Sequence, residues 1–115
     1  MGKIAEMFTP KKIIFNALKS KLEGTGIIKL VLVFNVQTDK YNIMLSKEDN
    51  SSMKLELAEN EMSMLKKMFI KKIENKYYEE SNKEIQSIIL QLCFLTDDIK
   101  VFIQDIEGKV ELFNY

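Results

Sequence analysis

Ile28 to Leu45, IKLVLVFNVQTDKYNIML, is the most apolar run of the chain, and it reverses direction within itself. Val, Leu and Phe fill its first arm, Thr38-Asp39-Lys40 supply a polar turn, and Tyr41, Ile43 and Leu45 resume the alternation on the return arm. That pattern predicts a β-hairpin. Successive strand side chains point to opposite faces, so Ile28, Leu30, Leu32, Phe34 and Val36 share one side and Lys29, Val31, Val33 and Asn35 the other. Both sides carry apolar residues, as expected of a strand covered by helices on one side and partly exposed on the other.

Upstream, residues 1 to 8 form a short lead. Thr9-Pro10 then reads as a helix start, with Thr9 as N-cap and Pro10 at the first helical position, where its missing N–H costs nothing. Ile14, Phe15, Leu18 and Leu22 recur at helical spacing, and Gly24-Thr25-Gly26 closes the element. Downstream, Lys47 to Ser52 make a solvated turn, and Met53 to Leu57 alternate as a short third strand. A second helix is predicted from about Glu59 to Tyr78 on the stripe Met62, Leu65, Phe69, Ile73 and Tyr77. Glu79 to Asn82 follow as a linker. A long strand over Glu84 to Leu95 turns at Thr96-Asp97-Asp98 and returns through Ile99, Val101 and Ile103. It reverses again at Glu107-Gly108 into Val110 to Tyr115.

The order α-β-β-(β)-α-β-β-β predicts an α+β fold, with an antiparallel sheet of about five to six strands and both helices on one face. The chain of 115 residues fits a single domain, 1–115. Its halves, 9–57 and 59–115, echo one another. KKIIF from Lys11 matches KKMFI from Lys66, Thr38-Asp39 matches Thr96-Asp97, and KLEL from Lys54 matches KVEL from Lys109. Two readings stand: an internal αβββ duplication, or the resemblance that any two αβββ segments of this composition would show. Roadblock-type and secretion-chaperone-type scaffolds share this element order in outline, and order alone carries no function.

Composition narrows the chemistry. Hydrophobic residues make up 46% and charged residues 30%, a balance that neither a disordered chain nor a membrane span combines. All 17 basic residues are lysine and 17 acids cancel them, so no net field draws the chain toward nucleic acid or an anionic membrane. The planar guanidinium fork suited to phosphate is missing too, which disfavours a nucleic-acid partner. No apolar run approaches the roughly 20 residues of a membrane-spanning helix. Met1 to Phe8 do not resemble a signal peptide, and the single Cys93 excludes an intrachain disulfide. A cytoplasmic location is expected.

Without histidine the usual proton shuttle and metal ligand are missing. Cys93, mid-strand among apolar neighbours, reads as a reduced structural thiol, and Asp39, Asp97 and Asp98 read as turn formers before metal ligands. No catalytic, metal or cofactor site is expected, and the chain is read as non-catalytic. Lys66, Lys67, Lys71 and Lys76, joined by Lys11, Lys12 and Lys19, could form a basic strip, although a solvated helix face explains them as well. The most informative surface is the sheet face turned away from the helices. Val31, Val33, Met44, Ile89, Cys93 and Phe102 would lie there, diluted by Lys29, Asn35, Ser87, Gln91 and Gln104. It is too apolar for a plainly solvated face. The expected role is protein–protein contact through that face, most simply as a homodimer. The alternative is a small-molecule pocket between helices and sheet, lined by Phe15, Phe69 and Met68.

Overall fold

The computed structural model describes residues 10–49 and 54–114. Helix α1 covers Pro10–Lys21, strand β1 Ile27–Asn35 and strand β2 Lys40–Lys47. Helix α2 is continuous over Glu59–Leu65, a π turn at Lys66–Ile70, and Lys71–Ser81. Strands β3 Ile85–Cys93, β4 Asp98–Asp105 and β5 Val110–Phe113 complete the chain. All five strands form one antiparallel sheet in the order β2-β1-β3-β4-β5, so the α+β class and the antiparallel sheet stand as read from the sequence.

Both helices lie on one face. Ile14, Phe15, Leu18 and Leu22 from the first helical region, and Met62, Leu65, Phe69, Ile70, Ile73 and Tyr77 from the second, form one cluster. They meet Leu30, Leu32 and Phe34 of β1, Ile88, Leu90 and Leu92 of β3, and Ile99, Val101 and Ile103 of β4. Each apolar stripe is what its period predicts, and burying it supplies the main driving force.

Several boundaries differ from the sequence reading. The bracketed third strand does not form: Lys54–Leu57 is not a strand, and Met53, like Thr9, lies outside the described residues. Tyr41 explains the change. Its hydroxyl accepts the Leu57 N–H at 3.2 Å and donates to the Leu57 carbonyl at 3.4 Å, which ties the segment down by a side chain instead of a ladder. Leu55 and Leu57 then pack against the core. β1 starts at Ile27, directly after the glycine turn as the sequence indicates, but a bulge between Ile27 and Lys29 turns Ile27 inward in place of Ile28. Residues 79–81, read as a linker, are the last turn of α2, which stops at Asn82 in the left-handed conformation (φ 57°). The π turn was not expected; there the Lys71 N–H bonds to the Lys66 carbonyl.

The two hairpins correspond closely. Every residue of β3 and β4 lies 58 positions after its counterpart in β1 and β2, and the β1–β2 register recurs in β3–β4. Even the bulge recurs, between Ile85 and Ser87. Asp39 (φ 59°) and Asp97 (φ 50°) take the same left-handed turn position, which Asp tolerates better than most residues. Leu32 and Leu90 are counterparts that face each other across the β1–β3 pair, so an approximate two-fold axis passes between them. Each helix reaches the opposite half's turn: Lys19 bonds Asp97 at 2.7 Å, and Lys66 bonds Asp39 at 2.8 Å. The KLEL and KVEL match fails, since Lys54–Leu57 is not a strand while Val110–Phe113 is β5.

Asp105 closes the β4–β5 hairpin. It is only 3% exposed, and one carboxylate oxygen accepts the N–H groups of Glu107 and Lys109, both at 3.0 Å. Local side-chain capping of this kind allows a charged residue to sit at a buried turn.

Candidate functional site

The face away from the helices is organised by the strand register. Asn42, Val33, Ile89, Phe102 and Leu112 stand side by side across all five strands. With neighbouring strands about 4.8 Å apart, this row is roughly 19 Å long. A second row is Met44, Val31, Gln91 and Lys100. A third is Ser46, Lys29, Cys93 and Asp98. On the far side lie Lys40, Asn35, Ser87, Gln104 and Val110.

The structure therefore brings Val31, Val33, Met44, Ile89, Cys93 and Phe102 onto one surface. Val31, Val33, Ile89, Cys93 and Phe102 are half-buried by their neighbours, whereas Met44 is 52% exposed. Leu112, 62% exposed, extends the apolar row to the edge of the sheet, and Val110, 50% exposed, stands next to it on β5 in the far row. Sequence reading did not assign them a face. The alternation of Val110 and Leu112 was visible, but only their pairing with Gln104 and Phe102 fixes the phase.

Cys93 occupies the position equivalent to Asn35, and the two do the same work. The Asn35 side-chain oxygen accepts the N–H groups of Gln37 and Thr38, at 2.9 and 3.0 Å. At Cys93, hydrogen bonds from the Thr96 side chain, the Thr96 backbone and the Leu95 backbone hold the thiol below its usual pKa. Alkylation of Cys93 by iodoacetamide in dilute solution, followed against pH, should thus show a midpoint below that of an ordinary cysteine. Thr96→Val, which removes the first of those bonds, should move the midpoint upward. An unshifted midpoint in both proteins would contradict the geometry.

The remaining shifted groups have structural causes. The Lys21 ammonium and the Ala58 N–H hold Glu61 below the usual carboxylate range, at the point where Lys21 bridges the two helical segments at 2.7 Å. Lys19 holds Asp97 low, and burial raises Tyr77. The lysines proposed for a basic strip are partly engaged: Lys19 and Lys66 pair with the turn aspartates, and Lys71 lies 3.8 Å from Glu74.

Depressions among the described residues lie elsewhere, and two are large enough to note. One, of about 550 Å³, is a polar cleft lined by Val36, Gln37, Glu74, Tyr78, Lys83 and Glu84. The other, of about 220 Å³, opens between the helices beside Ile13, Ala17, Leu57, Met64 and Met68. Phe15 (2% exposed) and Phe69 (0%) line neither; they fill the core between helices and sheet. No described helix is long and apolar enough to cross a membrane. Comparison of the chain with protein-family models, with curated proteins and with solved structures gave no match.

Proposed function

We propose that this chain is a non-catalytic cytoplasmic domain that works through protein–protein contact and self-associates by the outer face of its sheet. The observation that carries the reading is the row Val33, Ile89, Phe102 and Leu112. It is a continuous apolar band running to an open edge, on the side opposite the one core into which both helices pack. Such a band loses free energy when it leaves water, and a facing sheet of the same shape removes it most completely. The rows on either side mix Val31, Met44 and Val110 with lysine, asparagine, serine and glutamine, so polar groups increase away from the band, as from the centre of an interface toward its rim. The single reduced thiol is in keeping with a reducing compartment.

Light scattering at micromolar concentration should give twice the 13.4 kDa chain mass. Val33→Asp and Phe102→Asp each place a carboxylate in the band and should yield monomers that keep the parent circular-dichroism spectrum. A parent protein that is monomeric, or variants that both remain dimeric, would overturn the proposal.

A further inference from the structure

Resting on self-association through this face, we propose that the second copy is placed by a two-fold axis running along β3, which sets Lys29 of each copy over Asp98 of the other. A half-turn about such an axis keeps every residue in its own row. It exchanges β1 with β4 and β2 with β5, because the sheet order is β2-β1-β3-β4-β5. Val33 then meets Phe102 of the second copy, Ile89 meets its own counterpart, and Asn42 meets Leu112.

The third row decides the orientation. Lys29 and Asp98 flank Cys93 symmetrically, one strand away on either side, and opposite charges therefore face each other twice across the dimer. Neither residue forms an ion pair within the described chain. The other in-plane axis, along the apolar row, keeps each strand over itself. It would set Lys100 over Gln104 and Val31 over Asn35, and leave Lys29 and Asp98 without partners in the contact. The axis along β3 also lays the Lys100 stem of each copy over Val31 of the other, and it alone of the two pairs opposite charges, twice, so charge complementarity favours it. Two sheets related in this way have nearly aligned strands, the common arrangement of face-packed sheets.

The axis also passes over Cys93. Face-packed sheets lie about 10 Å apart, too far for a direct disulfide but within reach of a short bis-maleimide. Full-length protein treated with bismaleimidoethane at low micromolar concentration should become a covalent dimer on a denaturing gel. A variant combining Cys93→Ser with Ser20→Cys moves the thiol to the exposed side of α1, and it should remain uncrosslinked.

Lys29→Asp should weaken the dimer by about tenfold or more, and adding Asp98→Lys should restore it, since the exchanged charges again face each other. A dimer that fails to crosslink, or whose affinity ignores both charge exchanges, overturns this placement and leaves face-to-face association standing. A monomeric parent protein overturns both.

Discussion

Replacing Leu90 with alanine should lower the free energy of unfolding by about 2–5 kcal/mol, the cost of emptying a packed leucine site. Leu90 is fully buried, and its cross-strand neighbours are Leu32 at 0% and Val101 at 1% exposure. Both of these neighbours are themselves held in the core, so the void should collapse poorly. Leu32→Ala should cost less, because its partner on β2 is the half-buried Ile43 of an edge strand, which can shift inward. The two sites touch across the β1–β3 pair, so the double variant creates one merged cavity. Its loss should differ from the sum of the single losses by about 0.5 kcal/mol or more. Urea denaturation at concentrations where the chain is monomeric measures all three. A Leu90→Ala loss below that of Leu32→Ala would contradict the packing described for the centre of the sheet.

Phe69→Ala should be comparably severe, at about 3–5 kcal/mol, because the ring is wholly enclosed beneath the π turn. Two neighbours in sequence, Phe69 and Ile70, both face the core there, at 0% and 2% exposure. The same pair of positions in α1 holds Ile14 and Phe15, so each helix drives two adjacent side chains into the sheet. Against a total stability of roughly 5–15 kcal/mol for a domain of this kind, the loss would remove a large share of the folded population. Thermal melting of Phe69→Ala beside the milder Phe69→Leu would show it. Equal melting points for the two variants would contradict the enclosure of the ring.

Elements governed by local periodicity were legible in the sequence. The two hairpins were visible because alternation and the Thr-Asp turns are written within a few residues of each other. The helices were visible through Leu18 and Leu22, and through Phe69, Ile73 and Tyr77. What could not be read depends on partners far along the chain. The strand order rests on pairing between Leu32 and Leu90, which no local pattern announces. The third strand failed because the Tyr41 hydroxyl captures the Leu57 backbone, and alternation at Leu55 and Leu57 looks the same whether those residues join a ladder or lie on a core. The bulge that exchanges Ile27 for Ile28 was equally silent, since both residues are isoleucine. On the candidate surface, Val31, Val33, Ile89 and Phe102 followed from period-two alternation. Leu112 required the register.

The crosswise clamping of the helices bears on how the chain reaches this structure. Each hairpin closes a short loop and can form early, but α1 is fastened to the turn after β3 and α2 to the turn after β1. Residues of both halves share one core. The β1–β3 pairing, with its large sequence separation, should bring the two hairpins together before the helices are fully seated. Folding speed should therefore be governed by that docking step, because closing a long loop is entropically costly until the non-local contacts form.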